Sequence, residues 1–268
     1  MNILVTNDDG IDAKGLWALA KAMSRVGQVL VVAPDKERSG AGASVSLHND
    51  MGIIEVPSSI PGVKAYAIDG TPSDCVMLGM RRLSQSNIDL VVSGINPGPN
   101  IGRDIHYSGT VMATLQSYFR KIPSIAVSLY PKNPKEVLDF TFAAEVIEKL
   151  ANDINKGRLQ ADAILNVNVP NIPRKQIKGI MITRTADTGY VKLSGVKGNK
   201  DLVNYHLELD ELYSKLEEGT DIWAIHQGYI SITPLRFEIT HHEMITAITG
   251  NVEAMENELF GDIRDRSK

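Results

Sequence analysis

The chain opens Asn2-Ile3-Leu4-Val5-Thr6-Asn7-Asp8-Asp9-Gly10, an aliphatic, β-branched run that delivers two adjacent carboxylates, and residues 15–23 follow with the apolar spacing of a helix. A buried strand, a polar turn and an amphipathic helix packing back on the strand make a βα unit. In an open parallel sheet the crevice outside the carboxyl ends of the strands is where ligands bind, so this first turn is a candidate site. A dinucleotide fold would put glycines there to admit a pyrophosphate. This turn carries two negative charges instead, which repel a phosphate unless a cation sits between them and the ligand. Aspartate is also common at turns as a helix cap or a solvated loop residue, and the pair alone leaves that reading open.

The unit recurs along the chain. Strands are expected at 29–33, 53–56, 64–68, 89–93, 123–129 and 163–169, with helices at 111–121 and 134–155. Thr71-Pro72-Ser73-Asp74 opens a further helix, with threonine as cap, proline at the first helical position and an acid three residues after the cap, so Asp74 reads as a capping acid and not a catalytic one. This alternation predicts an α/β fold, a parallel sheet with helices on both faces, over residues 1–173. From 174 to 268 the pattern changes: residues 179–183, 186–200, 203–209 and 223–232 read as a β-rich hairpin appendage with closing strands. Met244, Ile248, Val252, Met255 and Leu259 give the tail, 239–260, a helical stripe that needs a surface.

With 268 residues, 43% of them hydrophobic, the chain can bury a substantial core. A net charge of −4 and no run of Lys and Arg exclude the electrostatic footprint of a stable nucleic-acid complex or of a membrane surface. No apolar stretch approaches the ~20 residues of a membrane span, and the first residues form a strand and not a signal-type core, so the expected location is the cytoplasm. Cys75 is the single cysteine, which rules out an intrachain disulfide or thiolate cluster and leaves it as a small core residue. Any metal must therefore bind through oxygen or imidazole. His48, His206, His226, His241 and His242 lack metal-ligand spacing and are read as structural or solvent-facing.

Three polar loops lie past the expected strand ends, and they supply hard oxygen ligands: Asp8 and Asp9 in the first, Ser39 in the second, Asn96 in the third. Two carboxylates, a hydroxyl and an amide carbonyl, completed by water, suit one Mg²⁺, Mn²⁺ or Ca²⁺ ion per subunit. Gly40 accompanies Ser39. The third loop has glycines at 94, 98 and 102, then Asn100, then Ser108-Gly109-Thr110, whose free N–H groups would open a helix, so it offers a cradle for phosphate. Taken singly, each loop also fits an ordinary turn or cap.

Together the loops carry a resemblance. NILVTNDDGIDAKGL from Asn2, PDKERSGAGASVSL from Pro34, GTPSDCV from Gly70 and VVSGINPGPNIGRDIHYSGTVMAT from Val91 resemble the signature segments of the SurE family, the survival-protein 5′/3′-nucleotidases. LNVNVP, ITRT and GYISITPL extend the likeness over most of the chain. It implies a Rossmann-like three-layer αβα core holding one divalent metal at Asp8, Asp9, Ser39 and Asn96, with phosphate at Gly40, Asn100, Ser108, Gly109 and Thr110. It also implies hydrolysis of nucleoside monophosphates, in some members of polyphosphate, by homodimers or homotetramers that exchange C-terminal elements. Val111-Met112-Ala113-Thr114 is bulkier than the family's usual sequence there. In the expected chemistry water activated by the metal attacks phosphorus, Asp9 orienting or deprotonating it, with His106 as candidate acid for the leaving group. Two alternatives remain at this stage: a non-catalytic nucleotide or metal sensor, and a phosphatase that forms an aspartyl phosphate.

Overall fold

The computed structural model describes the chain apart from residues 134, 160–162, 189–190, 197–203, 210–215 and 265–268. Its strands are β1 (Asn2–Thr6), β2 (Gln28–Pro34), β3 (Ile53–Val56), β4 (Lys64–Ile68), β5 (Leu90–Asn96), β6 (Ser124–Tyr130), β7 (Ile164–Pro170), β8 (Ile180–Ile182), β9 (Val191–Val196), β10 (Asn204–Leu209) and β11 (Ile230–Leu235). Nine form one sheet in the order β3-β4-β2-β1-β5-β6-β7-β11-β8, while β9 and β10 pair as an antiparallel hairpin. From β4 to β7 every neighbour is parallel; β3 and β11 run antiparallel to β4 and β7. Parallel neighbours need crossovers, and the helices supply them. They are α1 (Lys14–Met23), α2 (Pro72–Leu78), α3 (Gly109–Ala113), α4 (Leu115–Tyr118), α5 (Thr141–Asn155), α6 (Asp221–His226) and α7 (His242–Arg264).

Side-chain alternation divides the core. Ile3, Val5, Val31, Val92, Val127 and Val167 meet Leu16, Leu19 and Met23 of α1 and Ala143 and Ile147 of α5 on one face. Leu4, Val32 and Val91 meet Cys75 and Val76 of α2 and Ala113 of α3 on the other, so Cys75 is the small core residue its setting implied. Toward the carboxyl ends the second face turns polar, with Thr6, Ser93, Ser128, Asn166, Asn168, Ser231 and Thr233 all buried.

Several elements depart from expectation. Residues 111–121 form two short helices, because the Thr114 hydroxyl donates to the Val111 carbonyl at 2.6 Å and the helix breaks there. The long helix starts at Thr141, not 134. Residues 223–232, read as β, begin in α6, capped by the Thr220 hydroxyl, which accepts from the Trp223 N–H. In the segment after 173, β8 and β11 are the expected closing strands, and they complete the same sheet as the core. Among the described strands only β9 and β10 form a second sheet, and part of the stretch expected to link them, 197–203, lies outside the described residues. Two compact units result, residues 1–235 and 236–268. The second contains α7, whose Met244, Ile248, Val252, Met255 and Leu259 are all exposed.

Candidate active site

At the end of β1 the chain places Asp8 almost wholly buried, 4% exposed, and Asp9 half-buried beside it. The Thr110 hydroxyl donates to Asp8 Oδ1, and the Thr110 main-chain N–H also points at this carboxylate. This approach requires Gly109. A Cβ there would stand 2.7 Å from Asp8 Cβ and 2.8 Å from Asp8 Oδ2, so any side chain would push the start of α3 away from the acid. Burial raises the pKa of Asp8, against the opposing pull of the Thr110 hydrogen bonds. For Asp9, burial together with the charges of Asp8 and Glu37 pushes it up to about 7. Asp9 Oδ2 and Asn7 Oδ1 are buried with no hydrogen-bond partner. Two carboxylates that resist ionisation side by side, one with an orphaned oxygen, form the donor set that a hard divalent cation satisfies.

The second loop is fastened to the first. The Arg38 N–H donates to the Asp8 carbonyl at 2.7 Å, and the Gly42 N–H donates to the Tyr107 carbonyl at 3.1 Å, so residues 38–42 lie between the first and third loops. Ser39 is exposed and gives its hydroxyl proton to Glu37 Oε1 at 2.8 Å, which leaves its oxygen lone pairs for an electrophile. Gly40 is exposed beside it. Farther along, the Ser46 N–H donates to Asp74 Oδ1 at 3.0 Å, while Asp74 Oδ2 accepts from the Thr71 N–H at 2.8 Å and the Thr71 hydroxyl accepts from the Asp74 N–H at 3.2 Å. Asp74 is thus the capping acid expected, and it anchors the loop as well.

Asn96 ends β5 half-buried and donates Nδ2 to the Gly98 carbonyl at 2.7 Å, which leaves Oδ1 as its free acceptor. Ser108 caps α3, its hydroxyl accepting from the Val111 N–H at 3.0 Å, and His106 and Tyr107 before it are exposed. The bulkier residues after Thr110 are accommodated: Val111, Ala113 and Thr114 are fully buried and Met112 is 4% exposed. Asn100 is turned into the sheet. Its Nδ2 donates to Ser128 Oγ at 2.8 Å, its main-chain N–H to Asn168 Oδ1 at 2.9 Å, and its carbonyl accepts from Asn166 and Asn168 at 2.8 and 3.0 Å. The structure therefore joins Asp8, Gly109 and Thr110 directly and ties the Ser39 loop to both, while Asn100 serves as an anchor of its own loop. Among the described residues no three His, Cys, Asp or Glu side chains gather round one point, so a cation here must take neutral oxygens beside the two carboxylates.

The chain matches the family described as Survival protein SurE over residues 3–192. It belongs to the SurE family. A relative from Dehalococcoides mccartyi named 5′-nucleotidase SurE is 42% identical over 92% of each chain, and one from Moorella thermoacetica with the same name is 43% identical over 90% of this chain and 92% of that one. The solved SurE protein of Aquifex aeolicus shares the fold at a TM-score of 0.79, with 36% identity over 92% of this chain and 98% of that chain. SurE membership and the α/β architecture expected from the loops are thus established. Sequence reasoning missed the residues that hold the site from behind: the Thr110 hydroxyl, Ser128, Asn166 and Asn168. One signal was present. A central strand buried on both faces should be apolar throughout, and two asparagines alternating in β7 mark a face with polar work.

Proposed function

We propose that the protein is a metal-dependent phosphomonoesterase that hydrolyses nucleoside monophosphates, with short polyphosphates as further substrates. The observation that carries this reading is the pair of adjacent carboxylates at the mouth of β1, Asp8 buried and held by Thr110 of α3 and Asp9 half-buried beside it. Their family setting sets aside the alternative of a non-catalytic sensor. Asp8, Asp9, Ser39 and Asn96 would hold one Mg²⁺, Mn²⁺ or Ca²⁺ ion, which when bound offsets charge on the phosphate oxygens and favours ionisation of water. Asp8, fixed by Thr110, would serve as the rigid ligand. Asp9 orients the attacking water and takes its proton. Attack at phosphorus breaks the ester P–O bond, and His106, exposed on the third loop, returns a proton to the departing alkoxide. Gly40 and the Ser108 and Gly109 main chain receive the phosphoryl oxygens.

The test is phosphate release from AMP with and without a chelator, followed by a single turnover in ¹⁸O-water. Activity should vanish with the metal and return with added Mg²⁺ or Mn²⁺, and the label should enter phosphate directly. Label in an aspartate would show the covalent route instead. Because no helix among the described residues is long and apolar enough to cross a membrane, we retain the cytoplasm as the working location. The exposed stripe of α7 supports assembly into homodimers or homotetramers through the C-terminal segment.

A further inference from the structure

The third loop is held from a direction the metal site does not explain. Between Asn96 and Ser108 it dips to Ile101, which is fully buried against Ala186, Ile222 and Ile225. On one side of Ile101 the buried asparagines of β7 clamp Asn100. On the other, Asp221 Oδ2 accepts from the Gly102 N–H at 2.9 Å, while Asp221 Oδ1 accepts from the Ala186 N–H at 3.0 Å and the Ile222 N–H at 2.8 Å. Next to it the Arg103 N–H donates to the Thr188 carbonyl at 2.8 Å. The approach is so close that a Cβ on Gly102, whose φ is +57°, would lie 2.0 Å from that carbonyl oxygen. Asp221 itself is 0% exposed. An isolated buried carboxylate is costly, and three N–H donors are what make this one tolerable.

We propose that Asp221 is a positioning residue for substrate phosphate: from α6 it fixes the Gly102 end of the loop and so sets where Ser108 and Gly109 meet the phosphoryl oxygens. This rests on the phosphomonoesterase reading. The chemistry of the clamp supplies a selective probe. In Asp221→Asn the amide has one acceptor oxygen and one donor nitrogen. Its oxygen is held where two N–H groups converge, at Ala186 and Ile222, which turns the NH₂ toward the Gly102 N–H and cuts only the tie to the loop. The Asp8 and Asp9 loop has no bond to Asp221 in this arrangement. The expected result is a roughly tenfold rise in KM for AMP and in the inhibition constant of inorganic phosphate, kcat within about threefold, and Mn²⁺ affinity by calorimetry within twofold. Amide hydrogens of residues 100–106 should exchange faster while those of β1 and β5 do not change. Unchanged exchange of residues 100–106 and unchanged KM would overturn the proposal and leave Asp221 a fold residue only. A KM rise matched by an equal loss of Mn²⁺ affinity would also overturn it, as damage to the whole site. If the wild-type protein releases no phosphate, the functional reading fails, whereas the exchange comparison still decides whether Asp221 holds the loop.

Discussion

Two carboxylates buried side by side oppose folding unless a cation offsets their charge, and Asp9 makes that cost measurable. Its pKa rises from the ordinary 3.8 to about 7 in the folded chain, so the native state binds its proton more tightly than the unfolded one. The penalty from Asp9 in the metal-free protein is then absent below about pH 4 and grows as pH rises toward about 7. Asp9→Asn carries no charge to lose. In chelator at pH 8 this variant should be more stable than wild type by about 1–3 kcal/mol, the two converging near pH 4, as read by thermal unfolding. With metal present, Asp8→Asn or Asp9→Asn should lower kcat by roughly 10²–10⁴, measured on AMP. His106→Ala should lower kcat by roughly 10–100-fold on AMP and little on p-nitrophenyl phosphate, whose leaving group needs no proton. The position of Asp8 and Asp9 at a strand end was legible from the apolar run that delivers them. The Thr110 hydroxyl was not, because its partner lies 102 residues away in sequence and only the fold makes them neighbours.

Among the elements, α3 is the one whose position matters most to the site. Gly109→Ala would set a methyl group 2.7 Å from Asp8 Cβ, and the start of the helix must withdraw. The expected outcome is a tenfold or greater loss of Mn²⁺ affinity by calorimetry and a comparable fall in kcat, with an unchanged far-ultraviolet spectrum. Strands β1, β2, β5 and β6 were legible from their apolar runs, since burial on both faces writes a continuous pattern, and β7 from the aliphatic residues that flank its two asparagines. The short α6 was not. Ile222, Trp223 and Ile225 suit a strand as well as a helix, and six residues are too few for periodicity to separate the two. The break at Thr114 escaped for a related reason, because it depends on a hydroxyl bond that competes with the helix ladder from within one turn.

For the molecule as a whole, the exposed apolar stripe of α7 is too long to leave in water. Deleting the residues after Phe237 should lower the oligomer mass in sedimentation while leaving the 1–235 unit folded, and an unchanged mass would show that the assembly is held elsewhere. The α/β layering could be read from the alternation of strands and helices, and closing strands were expected after residue 173, but their order in the sheet could not be read. Strand β11 slots between β7 and β8, so the last core strand in the chain fills an interior place. This order governs how the protein emerges from the ribosome. Until residue 235 has been made, β7 has no partner on its outer side, and until residue 221 the nascent loop lacks the acid that grips Gly102. A growing chain therefore carries both aspartates well before β7 is covered or the loop is tied, and in that interval the outer edge of β7 is open to pairing with another strand. The order of synthesis thus separates the two aspartates from the acid that anchors the third loop, which is made only within the last fifth of the sequence.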